Sequence, residues 1–416
     1  MGERARRALG VAEWALVPAL AVLLLHESWA RRVLNAPYDE LWLALVAVGA
    51  VTIGVVARLE SVGTGPAPFL ALEAAVACVL TDIAVFAGEP GRDFLIYLHA
   101  GTAFLHGAAP YIAAPLHGYP ANPGDLPFLY PPPTLPLAAL LALPPRWLAE
   151  SAWIIGSAGA VLFALRRFGL PWPWALAALV WPPVFQGLYV GNVAEPAAVL
   201  FALGPSVGWT LVLGPMLKPQ DAVPALWLLR ARRGRALATG IGVLLAWTAL
   251  TLPLTGVGAW GRWVGALIAY RDSQRFLPGL YGFSLSHVLP YGVFVAVGIV
   301  AVILALRVSG TRGLAALGLV SAIVSPVLWA HGFVVTAPAL LALDAPLLWT
   351  AVGLTSLLNG PGWQVVMLLG ALPFASALVR RSRASDWHPL GRAATAWDDP
   401  PPAEGSDRRG NQTATT

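Results

Sequence analysis

Residues 91–133 read GRDFLIYLHAGTAFLHGAAPYIAAPLHGYPANPGDLPFLYPPP, and they interrupt a succession of apolar segments with acidic residues, histidines, tyrosines and prolines. A lone carboxylate, Asp93, opens the stretch just beyond an apolar run, and a second acid, three histidines and four tyrosines follow it. If the flanking apolar runs span a bilayer, residues 88–133 form a large loop at one membrane face. The concentration of polar groups in this loop predicts a site there.

The composition departs from that of a soluble domain. Of the 416 residues, 57% are hydrophobic and only 11% are charged, and the mean hydropathy is +0.69. A soluble domain has about 25% charged residues. Apolar runs recur along the chain, and a lipid-facing backbone must satisfy its hydrogen bonds internally, as a helix does. The sequence therefore predicts an all-α polytopic integral membrane protein.

The charge pattern limits the partners. The net charge is +5, but arginine occurs in short clusters between apolar runs, which indicates signals for membrane orientation rather than a nucleic-acid partner. The single cysteine, Cys78, lies in an apolar run, so no disulfide or cysteine metal site is expected. Motifs for nucleotide or zinc binding are missing from the sequence, and Asp93 has no acid two residues later. We therefore predict membrane lipid as a partner, and no metal or other cofactor.

The arginine clusters also predict the orientation. Three spans are expected before Asp93: Val11–Leu25, Leu41–Ala57 and Pro68–Ala87. With the basic N-terminus in the cytoplasm, Asp93 emerges on the outer face, although Arg31 and Arg32 would also lie outside. Glu73 and Asp82 fall within the third span, where ionisable groups are costly and usually face a protein interior. For these two acids a structural role is favoured over catalysis.

The remaining apolar segments and arginine clusters predict 12 or 14 membrane crossings in total. The later apolar segments are Ser151–Leu165, Pro171–Tyr189, Ala236–Leu254, Val288–Leu306 and Leu314–Leu328, with a shorter interfacial segment at Pro131–Leu143 and a return that ends near Val379. The count depends on Pro196–Leu229, which exceeds the length of one span and is broken at Gly-Pro and Lys-Pro pairs. We expect a multi-span domain, 1–385, with a second outer loop at 256–286. Residues 386–416 show no periodic pattern of apolar residues, so we expect them to form a disordered cytoplasmic tail.

On this topology several polar positions reach the same membrane face: Asp93, Tyr130, Asn192, the loop holding Arg271 to Ser284, and His331. An isolated acid near a membrane boundary is often a solvated loop residue, and a histidine beside Trp329 is often a packing group. Convergence of five positions favours a site. The histidines of the first loop, His99, His106 and His117, lack a ligand spacing, and structural or solvent-exposed roles are favoured for them.

The order of short motifs along the chain resembles a known family. The motifs are Asp93-Phe94 with Tyr97, Gly107 to Tyr111, Tyr130-Pro131-Pro132, Gly191-Asn192-Val193, Lys218-Pro219-Gln220, and Ser325-Pro326 to Trp329 and His331. Together they resemble the multi-span α-mannosyltransferases of glycosyltransferase family 87, which have the C-type glycosyltransferase fold. The resemblance covers residues 82–379. It departs at Gly332, where the family often has a second histidine, and at Tyr281 to Leu285, which lacks the usual Asn-Gln.

The resemblance implies transfer of a mannosyl group from a polyprenyl-phosphate donor to a lipid-linked or glycan acceptor, outside the cytoplasmic membrane. Asp93 matches the catalytic aspartate and is expected to act as the general base, and His331 is expected to position the acceptor or the donor phosphate. Lys218, at a helix break, is the first candidate for the donor phosphate, although a lysine can also extend to the membrane interface. The other expected donor- or acceptor-binding residues are Tyr97, Tyr130, Asn192, Gln220, Arg271 and Ser284, with Arg275 as a weaker candidate.

Two other classes of protein fit parts of the pattern. A transporter or lipid flippase also needs broken helices and polar groups within the membrane. Against it, the sequence has no obvious internal repeat, and its polar positions gather at one face. A non-catalytic membrane subunit would not need a convergent set of polar positions. The acceptor, the linkage and the identity of the sugar stay open at this level.

Overall fold

The computed structural model describes residues 91–170, 178–343 and 362–379, together with residues 172, 175, 347, 348, 351 and 355. Within these residues the secondary structure is helical, and the one pairing of β type is an isolated bridge between Gly282 and Leu328. The predicted all-α fold is confirmed. The three expected N-terminal spans, Cys78, Glu73, Asp82 and the tail 386–416 lie outside the described residues.

The described α-helices are α1 Arg92–Leu105, α2 Leu135–Ala142, α3 Arg146–Arg167, α4 Pro182–Val190, α5 Ala194–Val207, α6 Gly214–Leu217, α7 Leu226–Arg230, α8 Gly234–Thr255, α9 Gly258–Ser273, α10 Leu285–Val288, α11 Tyr291–Arg307, α12 Gly310–Ile323, α13 Ala337–Leu340 and α14 Gly362–Val379. The 3₁₀ turns are Pro123–Asp125, Pro132–Thr134, Ala178–Val180, Trp209–Leu213, Pro219–Ala225, Pro278–Tyr281 and Ala330–Thr336.

Two of the described helices are long and apolar enough to cross a membrane. Helices α3 and α8 have 22 residues each, and a helix of that length rises by about 33 Å, which matches the roughly 30 Å hydrocarbon core of a bilayer. Helix α8 buries little of its apolar surface in the protein, so most of it faces outward. The other described apolar helices, among them α5, α11 and α12, are shorter.

The stretch expected to be the first outer loop begins with a 14-residue helix, α1. Its buried residues Phe94, Tyr97, Ala100 and Gly101 follow a spacing of three or four, which is the period of a helix with one face inward. Gly101 lets α1 approach α2 closely, because a Cβ there would lie 2.1 Å from the carbonyl oxygen of Ala138. The second expected loop, 256–286, likewise contains helix α9.

The segment Pro196–Leu229 is interrupted, as its prolines and glycines predict. Helix α5 continues through Pro205 and ends at Val207, and the next residue, Gly208, has a φ of 71° that suits glycine. A 3₁₀ turn, the short α6 and a second 3₁₀ turn follow, and Lys218 between the last two is extended, with φ −145° and ψ 128°. The predicted break at Lys218 is confirmed, and it places a cation between two short helical pieces.

The largest hydrophobic core surrounds α12. Ten consecutive residues of this helix, 313–322, are buried, so neighbours cover it on all sides. A second, smaller core lies beneath α1 and includes Phe94, Tyr97, Tyr111 and Phe128. The candidate site lies close to this smaller core, where α1 meets the ends of α4 and α5.

Candidate functional site

Asp93 is held by two neighbours in the first turn of α1. The residue is only 9% exposed. Its Oδ2 accepts a hydrogen bond from Asn192 Nδ2 at 2.5 Å, and its Oδ1 lies 3.1 Å from Arg92 Nε. Asn192 is itself fixed, because its Oδ1 accepts from the backbone N–H of Ala194 at 2.9 Å. The carboxylate therefore has a defined orientation at the junction of α1 and α5.

Glycines allow that junction to form. Gly191 ends α4 with a φ of 70°, and a Cβ there would lie 2.8 Å from the Cβ of Phe94, so a side chain has no room. The N–H of Gly91 donates to the carbonyl oxygen of Tyr189 at 2.8 Å, and Trp153 Nε1 donates to the carbonyl oxygen of Gly191 at 2.8 Å. These contacts bring the start of α1 against the end of α4, which puts Asp93 beside Asn192.

Tyr97 lies one turn further along α1 and meets Tyr130, which precedes the 3₁₀ turn at Pro132–Thr134. The hydroxyls of Tyr97 and Tyr130 are 3.1 Å apart and their rings meet edge to face, and the hydroxyl of Tyr111 donates to the carbonyl oxygen of Tyr130 at 2.9 Å. Burial, with the nearby charge of Asp93, raises the pKa of both Tyr97 and Tyr130. Both phenols therefore keep their protons at neutral pH and can donate hydrogen bonds.

A small cavity of about 40 Å³ lies beside this junction, between α5, α12 and the break at Lys218. Its polar lining residues are Lys218, Gln220, Asp221, Ser321, Ser325 and His331. The ammonium of Lys218 makes no hydrogen bond or ion pair with the part of the chain that the structure describes. The charges of Asp221, Glu195 and Asp93 nevertheless act on it, so these groups share one electrostatic environment.

His331 contributes an imidazole to the same cavity. The residue is buried, and its backbone N–H donates to Gln186 Oε1 at 3.1 Å. Its Nδ1 has no hydrogen-bond partner among the described residues. The charges of Lys218 and Arg92 reach the imidazole. A buried polar atom without a partner is uncommon in a folded protein, and beside a cavity it indicates a place for a ligand.

The other predicted site residues divide into two groups. Gln220 lines the cavity, and its carbonyl oxygen accepts from the Ser321 hydroxyl at 3.1 Å. Ser284 is fully buried, and its hydroxyl donates to the carbonyl oxygen of Ser325 at 2.5 Å, which ties two loops together. The side chains of Arg271 and Arg275 are 67% and 75% exposed and lie beside Asp272. The structure therefore brings Gln220 to the cavity, places Ser284 behind the lining residue Ser325, and pairs Arg271 and Arg275 with Asp272.

Four residues that contribute to this region were not predicted from the sequence: Arg92, Gln186, Glu195 and Asp221. Glu195 has no exposed surface, and neither of its carboxyl oxygens has a hydrogen-bond partner among the described residues. Its Oε1 rests on Gly187, where a Cβ would come within 1.6 Å. Glu195 could have been predicted as a site residue from the sequence. An acidic side chain inside the apolar run AEPAAVLFAL is costly and usually has a functional role.

The loop histidines contact nearby protein groups. His99 lies 3.6 Å from Asp125, His106 Nδ1 is 2.8 Å from the carbonyl oxygen of Thr102, and the ring of His117 packs on Phe276. Within the described ranges no group of three or more His, Cys, Asp or Glu residues could hold a metal ion. These contacts are the kind expected of structural or surface histidines.

Comparisons of the chain with protein-family models, with curated proteins and with solved structures found no match. The resemblance to glycosyltransferase family 87 therefore depends on the order of the short motifs, and the roles that it implies stay predictions.

Proposed function

We propose that the protein is a multi-pass membrane glycosyltransferase of the C-type architecture. In this proposal it transfers a mannosyl group from a polyprenyl-phosphate donor to a lipid-linked or glycan acceptor on the outer side of the cytoplasmic membrane. The observation that carries the proposal is the pairing of a fixed carboxylate, Asp93, with a neighbouring cavity whose lysine and one histidine nitrogen have no partner among the described residues. A base and an anion site side by side are what this reaction requires.

A lipid-borne donor needs a protein that meets the bilayer. Helices α3 and α8 have the length and composition of spans, and several shorter apolar helices accompany them. Short and broken helices are tolerated at membrane depth where they are buried in protein or line a cavity, as they do around Lys218. The outer-face location of Asp93 follows from the cytoplasmic preference of the arginine clusters.

Asp93 has the position of a general base. The acceptor hydroxyl oxygen bonds to the anomeric carbon of the sugar while the bond from that carbon to the phosphate oxygen breaks. The electron pair leaves with the polyprenyl phosphate, and the hydroxyl proton goes to the Asp93 carboxylate. Polyprenyl phosphate is a good leaving group, so one carboxylate suffices and no acid is needed. Arg92 and Asn192 act as positioning residues that orient the base.

The charged side chains that line the cavity suit a phosphate group with a single negative charge. Lys218 supplies a cation and His331 a hydrogen-bonding nitrogen, while the carboxyl of Asp221, which also lines the cavity, opposes the entry of further negative charge. A polyprenyl-phosphate sugar is a phosphodiester with a single negative charge, whereas a nucleotide diphosphate sugar carries two. The balance of charges around Lys218 therefore favours the lipid-linked donor.

A transporter or lipid flippase is the second candidate. The interrupted segment between α5 and α7 and the buried carboxyl of Glu195 support it, since transporters bind substrates at broken helices with buried polar groups. A flippase would move the same lipid-linked sugar without breaking the bond between the sugar and the phosphate.

The test is transfer of radiolabelled mannose from a polyprenyl-phosphate donor into lipid extracts, by membranes that contain the full chain. We expect labelled product with the wild-type chain and with Asp125→Asn, whose carboxylate is exposed, and at least about 100-fold slower labelling with Asp93→Asn. Movement of the intact donor across vesicle membranes without labelled product would reject the transferase and favour the flippase.

A further inference from the structure

Many of the described arginines gather at one end of the fold. This arginine face consists of Arg166, Arg167, Arg230, Arg232, Arg233, Arg235, Arg307 and Arg312. The segments that form it, 163–170, 203–209, 227–238 and 304–313, contain no aspartate or glutamate. All of these arginines lie at or beside helix ends, so their charges add over one surface.

Hydrogen bonds join the segments of the arginine face. Arg167 Nη2 donates to Ser206 Oγ at 2.8 Å, which links the end of α3 to the end of α5. Arg230 Nε donates to the carbonyl oxygen of Leu306 at 3.0 Å, which links α7 to α11. Arg233 donates to the carbonyl oxygen of Pro205. These bonds establish that arginines distant in sequence share one surface.

Three arginines of this face are free to bind something else. Arg232, Arg235 and Arg307 are exposed and make no hydrogen bond or ion pair with the described residues. Arg271 and Arg275, elsewhere on the protein, lie beside the carboxylate of Asp272. The segments of the arginine face thus carry positive charge with no carboxylate to offset it, whereas Asp272 offsets part of the charge of Arg271 and Arg275.

Arg232 also occupies an unusual backbone position. Its φ of 55° makes it the one described residue other than glycine in the left-handed region. It follows the end of α7, where the N–H of Arg232 donates to Leu229 and the N–H of Arg233 donates to Leu228. Glycine is the usual residue at this place in such a motif, because it has no Cβ. An arginine there is unfavourable for the backbone, which points to a use for its side chain.

Apolar surface adjoins these charges. Helix α8 begins beside Arg233 and α11 ends at Arg307. On α8 the side chains of Leu245 and Leu250 are 62% and 68% exposed, and Ile299 and Val300 of α11 are also exposed. A ligand that fits both features needs a negative headgroup and long hydrocarbon chains, and neither free phosphate nor nucleic acid has both.

We infer that the arginine face binds the phosphate groups of anionic glycerophospholipids, whose acyl chains lie along α8 and α11. Arg232, Arg235 and Arg307 are the cations that contact the headgroups. The exposed apolar side chains of α8 and α11 pack against the acyl chains of the lipid. This binding surface is independent of the Asp93 site and of the reaction proposed for it.

The experiment measures lipid binding to the purified full chain in detergent by native mass spectrometry, with phosphatidylglycerol and phosphatidylcholine of identical acyl chains as probes. We expect tighter binding of phosphatidylglycerol, weakened by added salt. Each basic side chain near an anionic lipid surface contributes about fivefold in affinity. The triple variant Arg232→Gly, Arg235→Gln, Arg307→Gln should therefore bind phosphatidylglycerol roughly 100-fold more weakly, with phosphatidylcholine binding unchanged.

The matched control is Arg271→Gln, Arg275→Gln, which removes charge beside Asp272 and should leave lipid binding as it was. Equal binding of the two lipids by the wild type, or an equal loss in the control, overturns the inference. So does displacement of phosphatidylglycerol by inorganic phosphate at similar concentration, which would indicate a site for the free ion. If the triple variant does not fold, Arg232→Gly alone should show about a fivefold loss, and an unchanged affinity counts against the inference.

Discussion

Helices α4 and α7 end in the same hydrogen-bonded motif but carry different residues at its left-handed position. At the end of α4 the N–H of Asn192 donates to the carbonyl oxygen of Gly187, and the N–H of Gly191 donates to that of Leu188. At the end of α7 the backbone N–H groups of Arg233 and Arg232 make the corresponding hydrogen bonds to Leu228 and Leu229. Gly191 has a φ of 70° and Arg232 a φ of 55°.

The difference reflects the surroundings of the two helix ends. Phe94 lies where a side chain at residue 191 would be, so glycine is required for α1 to dock and for Asp93 to meet Asn192. Arg232 is exposed, so a long side chain fits there. One end fixes buried polar groups with short hydrogen bonds, whereas the other presents free charge at the surface. The two regions should therefore respond differently to substitution.

The largest expected effect is at Asp93. Removal of a positioned general base typically lowers the rate by about 10²-fold to 10⁴-fold, so Asp93→Asn should fold, bind donor and lose nearly all transfer. Initial rates of mannose transfer, with donor binding measured separately, provide the test. Asp125→Asn is the matched control, because its carboxylate is exposed and contacts only His99 among the described residues. A folded, donor-binding Asp93→Asn protein with a wild-type rate would remove Asp93 from the mechanism.

Lys218→Ala should weaken donor use more than acceptor use. A hydrogen bond to a charged group contributes about 1.5–3 kcal/mol, so the KM for the donor should rise by roughly 10- to 100-fold. Lys218→Arg should restore only part of the loss, since a planar guanidinium differs from a compact ammonium. The measurement is the donor dependence of the transfer rate at saturating acceptor. Unchanged donor kinetics would leave Lys218 as an interfacial anchor.

Asn192→Ala should act through Asp93 rather than on either substrate. The variant removes the hydrogen bond that orients Oδ2, which is worth about 1.5 kcal/mol for a charged acceptor, so kcat should fall by about 10-fold. The KM for the donor should not change, because Asn192 does not line the cavity. A rise in the donor KM with constant kcat would instead place Asn192 in direct contact with the substrate.

The parts of the fold that sequence analysis predicted are those set by local chemistry. Apolar composition predicts helices, and a Lys-Pro pair predicts the break that leaves Lys218 extended. The exposed pairing of Arg271 with Asp272 could also have been expected, since the two residues are adjacent. The 16-residue helix α9 that carries both residues was not predicted, because the sequence indicated a loop there.

The rest depends on contacts between distant segments. The burial of Glu195 requires the space above Gly187 in another helix. Likewise, the role of Ser284 depends on the carbonyl oxygen of Ser325, 41 residues away. His331 was predicted as a site residue, but its backbone contact with Gln186 needs α4 beside the 3₁₀ turn at 330–336. No local pattern in the sequence specifies these approaches.

The smallest expected effect is on stability, and it contrasts the two left-handed positions directly. The left-handed conformation is unfavourable for residues with a Cβ by about 1–2 kcal/mol, and glycine loses about 0.5–1 kcal/mol through its freedom in the unfolded chain. Arg232→Gly should therefore melt at the same temperature as the wild type or up to about 2 °C higher.

Gly191→Ala should melt lower, because its Cβ would lie 2.8 Å from Phe94 Cβ as well as in the left-handed region. The measurement is the thermal melting midpoint of each purified variant in the same detergent, without added lipid. A lower midpoint for Arg232→Gly would mean that the Arg232 side chain stabilises the folded protein itself, and its position would then need no lipid to explain it.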